Sequence, residues 1–180
     1  MQETEWIPID GTLSSGKTSV IEELKRMGFR TVKEAARTII DEGLARGLAM
    51  DEIRRSEIEF NLAILARKIK TEKELPPGER IFLDRGIPSS IGYLRVHGDK
   101  SRAAIEASFT RRYKKVFIAD PLPMALDEAR KKDFMLVEQF HTEILRGYRE
   151  VDYDPIIIPV FEGTKEEGVR QRVQFILERL

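Results

Sequence analysis

The 180-residue sequence contains no cysteine, which excludes disulfides, thiolate metal centres and a cysteine nucleophile together. Histidine is almost as scarce, with only His97 and His141. His141 falls on the apolar stripe Phe134, Val137, His141, Ile144, Leu145, Tyr148, where a packed structural role outweighs ligation, so no metal is assigned to histidine. A surplus of one charge is missing as well: 31 Lys and Arg balance 31 Asp and Glu. That balance leaves no electrostatic footprint for nucleic acid or an anionic membrane. No apolar run approaches the roughly 20 residues of a membrane span, and Gln2, Glu3 and Glu5 do not read as a secretory leader. A cytoplasmic chain with neither nucleic-acid nor membrane partners is expected, and the sequence names no protein partner.

Repeats, low-complexity segments and linker-like stretches are also lacking, so residues 1–180 are expected to form one domain. Five short apolar runs are present: WIPI at 6–9, FRTV at 29–32, IFL at 81–83, VFIA at 116–119 and PIIIPV at 155–160. Longer segments of helical period separate them. One carries Val20, Ile21, Leu24 and Met27 and ends at Gly28; another carries Ile58, Leu62, Leu65 and Ile69; the last carries Val169, Val173, Ile176, Leu177 and Leu180. A helix opening at Pro88 and broken at Gly98 is followed by a helical stretch expected to run through Arg111 and Arg112. Alternation of this kind predicts an α/β fold, a parallel sheet with helices on both faces. In such folds ligands bind beyond the carboxyl ends of the strands.

The first run leads directly into Gly11-Thr12-Leu13-Ser14-Ser15-Gly16-Lys17-Thr18, which fits G-x-x-x-x-G-K-[ST]. The glycines allow the backbone N–H groups to close around phosphate oxygens, and the positive end of the helix that follows favours the anion. In this pattern Lys17 reaches the β- and γ-phosphates and the Thr18 hydroxyl ligates Mg²⁺. Ser19, next in line, is counted with the nucleotide-binding loop.

A phosphate-bound Mg²⁺ calls for a carboxylate at another strand end. Asp84, at the end of IFLD, and Asp120, at the end of VFIAD, both qualify. Local context favours Asp84, because Arg85 beside it adds a cation facing phosphate or acceptor, whereas Asp120 precedes a proline and suits a turn. Glu34 opens EAAR, where it either receives a proton from a substrate hydroxyl while Arg37 holds the substrate, or serves as a helix-start carboxylate with Arg37 exposed. Arg130 and Lys131 lie in the charged run 127–133, which reads either as a lid that brings cations to the γ-phosphoryl or as a solvated face.

Taken together, GTLSSGKT, VKEAARTII, IFLDRGIPSSIGYL, RYKKVFIADPLP, DEAR and the closing IIIPVFEGTKEEGVRQRVQFILERL resemble the P-loop NTPases of the nucleoside- and nucleotide-kinase-like group. They are most like the small AAA-type ATPase/kinase family related to ribosylnicotinamide kinase and thymidylate kinase. The resemblance implies a five-stranded parallel sheet of order 2-3-1-4-5, Asp84 rather than Asp120 near the metal, Glu34 near the acceptor and a lid around Arg130. It also implies that the loop from Phe161 to Lys165, including Gly163, lies near the nucleotide base. The only Asn is Asn61, inside a helical stretch, so the NKxD string of guanine-reading G proteins is absent; ATP is the expected donor, with GTP left open. The expected activity is ATP- and Mg²⁺-dependent phosphoryl transfer to a nucleoside-, nucleotide- or related metabolite acceptor. In this reading Lys17, Glu34, Asp84, Arg85 and Arg130 are catalytic, and Glu34, Arg37 and Arg85 bind substrate. The alternative is a nucleotide-dependent switch or a simple NTPase.

Overall fold

The computed structural model describes residues 1–13, 15–123 and 131–180. The central strand β2 (Trp6–Gly11) is buried along its whole length because it pairs on both sides. It runs parallel to β4 (Ile81–Asp84) on one side and β6 (Phe117–Ala119) on the other. Strand β3 (Arg30–Val32) adds outside β4, and β7 (Ile156–Ile158) outside β6, giving the order β3-β4-β2-β6-β7. Counted along the chain within this sheet alone, that is 2-3-1-4-5.

The alternation of side chains along a strand divides the apolar runs between two cores. Trp6, Ile81, Leu83 and Ile118 point into one cluster, with Ile87, Ile91, Leu94, Ile144 and Tyr148. Ile7, Ile9, Phe82, Phe117 and Ala119 point into the other, with Val20, Leu24, Val173 and Ile176. The first cluster is covered by α4 (Glu57–Glu74), α5 (Ser89–Val96) and α7 (Lys131–Glu150), the second by α1 (Lys17–Arg26) and α8 (Lys165–Leu177). Each fully buried Ile, Leu or Phe contributes about 1.5–3 kcal/mol of apolar burial. Two further helices, α2 (Ala35–Ala45) and α3 (Met50–Ile53), follow β3, and α6 (Arg102–Ser108) follows α5. No described helix is long and apolar enough to cross a membrane.

Several boundaries differ from the sequence expectation. The helical stretch before the fourth apolar run stops at Ser108, and β5 (Arg111–Arg112) instead pairs in parallel with β1 (Gln2–Glu3) in a separate two-stranded ribbon. Arg112 is drawn there by the carbonyl of Val151 at 3.2 Å and the face of Tyr153 at 4.0 Å. On α4 the buried face is Phe60, Asn61, Leu65, Lys68 and Glu72, while Leu62 is exposed. Polar side chains take inward positions because the site they enter is itself polar. Met27 lies exposed at the C-cap of α1, outside the stripe assigned to it. His141 is half-buried, its Nε2 3.6 Å from Asp120 Oδ1.

Helices α5 and α7 approach closely because glycines face the contact. A Cβ on Gly92 would lie 2.6 Å from the backbone of Glu143 and Ile144, and one on Gly147 3.0 Å from Ile91 Cβ. Gly92→Ala therefore forces two backbones apart. The expected loss is about 1–3 kcal/mol, read as a lower denaturation midpoint with an unchanged m-value.

Candidate active site

All five strands of the sheet are parallel, so their carboxyl ends share one edge. The order reverses about β2, which places the loop after Gly11 at the topological switch point. The backbone requires glycine there. Gly11 has φ +143°, and a Cβ on it would stand 2.8 Å from Ser15 Oγ and 2.9 Å from the Ala119 carbonyl; Gly16 has φ +73° at the N-cap of α1. Ser15 Oγ donates to the Thr12 carbonyl at 2.9 Å and Lys17 Nζ to the same oxygen at 3.4 Å. Lys17 is buried, and desolvation first, then the charge of Arg85, lowers its ammonium pKa to about 8. Thr18 and Leu13 are exposed and Ser19 is half-buried, while Ser14 lies outside the described residues.

Arg85 organises the adjoining strand end. Its backbone is left-handed, with φ +73°, and its side chain is buried. Nε donates to Glu34 Oε1 at 2.7 Å, and Nη1 to Asp10 Oδ1 at 3.2 Å and the Gly11 carbonyl at 2.5 Å. The guanidinium carbon sits 5.0 Å from the centre of the Tyr93 ring. The Asp84-Arg85 pair is thus no surface ion pair: Arg85 bridges the first loop and the start of α2. Burial works to raise the Glu34 carboxyl, but Arg85, Lys17 and Lys68 together hold it below its usual range. Asp84 has the opposite outcome, because burial outweighs Lys17 and lifts it to about 6. Asp84 Oδ1 and Thr12 Oγ1 are buried with no hydrogen-bond partner among the described residues.

A second tier fixes the segment that carries Arg85. Asp10 accepts from Tyr148 Oη at 2.9 Å, from the Gly11 N–H at 2.9 Å and from the Gly86 N–H at 3.3 Å. Lys68 donates to the Gly86 carbonyl at 2.8 Å, Ser89 Oγ at 2.9 Å and Ser90 Oγ at 3.2 Å. Tyr113 Oη donates to Glu72 Oε1 at 2.7 Å and accepts from the Ile87 N–H at 2.9 Å. A half-open cavity of about 180 Å³ lies between α2, α4 and β4, lined in part by Thr38, Lys68, Glu72, Asp84 and Arg85.

Lys17, Glu34, Asp84 and Arg85 therefore converge, each within electrostatic reach of the others. Arg37 does not join them: it is exposed on α2 and outside the cavity lining. Gly163 sits in an exposed bend before α8, with φ +120°. Arg130 lies outside the described residues, and the side chain of Lys131 is likewise not described. Asp120 directly follows β6, with its carboxylate partly exposed. Sequence reasoning missed Asp10, Lys68, Glu72 and Tyr148. Asp10 carried the same signal that nominated Asp84 and Asp120, a carboxylate at the end of an apolar strand run. Lys68 and Glu72 carried none, since a charged residue at helical spacing ordinarily faces water.

Comparison with known proteins agrees with this geometry. A family model for an AAA domain matches residues 6–167. No curated protein matches the chain. Among solved structures, thymidylate kinase from Ehrlichia chaffeensis superposes with a TM-score of 0.71 at 14% identity, over 99% of each chain. The NadR protein in complex with NR gives 0.67 at 14% identity, over 96% of this chain and 50% of that one. Deoxyadenosine kinase from M. mycoides gives 0.57 at 15% identity, over 97% of both. The chain spans about half the length of the NadR protein it matches. At these identities the likeness is one of fold: a P-loop α/β sheet flanked by helices.

Glu72 makes stability depend on pH. Burial raises its carboxyl to about 7 from 4.5, against the opposing pull of Tyr113, Lys68 and Arg111. Between those values the folded chain binds more protons than the unfolded one, so the stability tied to the neutral carboxyl is complete below about 4.5 and lost as pH rises through about 7. Glu72→Gln keeps the shape and the acceptor for Tyr113 but cannot ionise. Between pH 5 and pH 8 the unfolding free energy should shift in favour of the variant by on the order of 1–3 kcal/mol. A difference that stays constant with pH in denaturant titrations would contradict the assignment.

Proposed function

The chain belongs to the AAA domain family, and on that premise we propose that it is an ATP- and Mg²⁺-dependent phosphotransferase acting on a nucleoside-, nucleotide- or related metabolite acceptor. The observation that carries the proposal is the meeting of a glycine-shaped anion loop with the Glu34–Arg85–Asp10 cluster beside a cavity large enough for part of a small molecule. A plain NTPase has no use for a second carboxylate, Glu34, ordered by Arg85 beside the phosphate loop.

Asp84 Oδ1, buried and without a hydrogen-bond partner among the described residues, fits a cation, because burial disfavours its ionised form and a positive charge arriving there restores it. Thr18 and Asp84 would hold Mg²⁺, which when bound neutralises charge on the β- and γ-phosphates. Lys17 provides a second positive charge, and phosphate oxygens beside it return its ammonium to full protonation. The first-turn N–H groups of α1 and the Thr12 hydroxyl supply further donors to the phosphates.

On the acceptor side Glu34 is held ionised and oriented by Arg85. A carboxylate whose proton affinity is lowered is a poorer base, but its negative charge still accepts a hydrogen bond from a hydroxyl and so orients it. In a loose phosphoryl-transfer transition state, aligning the hydroxyl matters more than early proton removal. Arg85 meanwhile keeps Glu34 from turning toward Lys17 and closing the site on itself. Arg37 and Arg130 are proposed to reach substrate and nucleotide when the site is loaded, and Gly163 to border the base.

A screen of nucleosides, nucleotides and related metabolites with γ-labelled ATP and Mg²⁺ is expected to label one acceptor class. ATP binding with no labelled acceptor would end the kinase reading in favour of a nucleotide-dependent switch. Lys17→Ala should lower kcat/KM by about 10²–10³. Glu34→Gln should leave ATP affinity near wild type while transfer falls about 10²-fold or more; loss of ATP binding in the folded variant would move Glu34 to the donor side.

A further inference from the structure

We infer that Arg172, on the last helix, is a positioning residue that sets the phosphate loop in its anion-binding conformation, a role that rests on the nucleotide reading above. Arg172 is 3% exposed. It reaches from α8 to the loop, 157 positions away in sequence. Nη1 donates to the Ser15 carbonyl, and Nη2 to the Asp120 carbonyl at 3.3 Å. The guanidinium packs directly against the next residue, since a Cβ on Gly16 would lie 3.4 Å from Nη1.

The consequence follows from peptide geometry. The Ser15–Gly16 peptide is trans, so its C=O and N–H point in opposite directions. Drawing the Ser15 carbonyl toward α8 turns the Gly16 N–H away from α8, and Gly16 is the N-cap from which the first-turn N–H groups of α1 follow. The left-handed Gly16, with φ +73°, is the backbone form of the same turn. One buried side chain thus fixes which way the loop presents its donors.

Charge points the same way. Both described acceptors of Arg172 are carbonyls, and it forms no ion pair among the described residues. Burial lowers its proton affinity, with only Asp120 opposing. A buried cation with no carboxylate hydrogen-bonded to it among the described residues, and only the charge of Asp120 in reach, is costly unless a further anion arrives nearby. A di- or triphosphate chain in the loop is that anion, so Arg172 gains stabilisation when the nucleotide binds and α8 docks more firmly in the loaded protein.

Calorimetric titration of ATP and ADP into wild type, Arg172→Met and Arg172→Lys tests the role. Arg172→Met should weaken both nucleotides by about 10- to 100-fold, and Arg172→Lys should recover part of the loss. A purely structural arginine would lower the thermal midpoint of the nucleotide-free protein and leave the affinity of the folded fraction unchanged. Wild-type affinity in a folded Arg172→Met chain overturns the inference. Should that variant fail to fold, hydrogen exchange on the wild type decides: α8 amides must gain protection with ATP, and unchanged exchange overturns the inference. A wild-type chain that binds neither nucleotide removes the phosphotransferase reading and this inference together, whereas binding without transfer removes only the former.

Discussion

The guanidinium of Arg85 is the interaction on which the rest of the site depends. It is buried, yet it reaches two carboxylates and a backbone carbonyl that belong to two separate segments: the end of β2, from which the phosphate loop departs, and the start of α2. Each of those groups alone would be expensive to bury. Together they satisfy one another, and the planar fork of Arg85 sets their spacing in a way that a lysine could not. The cluster is thereby a gauge between the loop that carries Lys17 and the carboxylate of Glu34, the two groups assigned to opposite reactants.

Around that gauge the fold spends buried polar chemistry where most helices bury carbon. Lys68 and Glu72 face inward on α4, and Tyr113 and Tyr148 bring hydroxyls to the segment that follows Asp84. Gly86 is the point they converge on: a Cβ there would stand 2.7 Å from Tyr148 Oη and 2.9 Å from Tyr113 Cε2. The polar tier holds the backbone of the site, and the two apolar cores hold the polar tier.

What the sequence disclosed divides along the range of the interactions involved. The sheet, its parallel sense and the Gly11–Thr18 loop were legible because strand runs, helical period and glycine spacing are local properties. So was the grouping of Lys17, Glu34 and Asp84, since each sits at a strand end or a loop that parallel topology gathers on one edge. The face of α4 was misread because its inward residues are polar, and hydropathy alone selected Leu62 over Lys68. The pairing of Gln2–Glu3 with Arg111–Arg112 left no trace in either segment, because two-residue strands have no period to detect. Arg172 was equally invisible: its acceptors are backbone carbonyls, which every residue possesses.

The hydrogen bond between Tyr148 and Asp10 joins residues 138 positions apart. At a synthesis rate of about 5–20 residues per second, roughly 7–30 s separate their emergence from the ribosome. For that interval the nascent chain carries its glycine loop and the Asp10 carboxylate without the tyrosine that anchors them. The site is consequently a late product of folding, and no N-terminal fragment ending before α7 contains it in finished form.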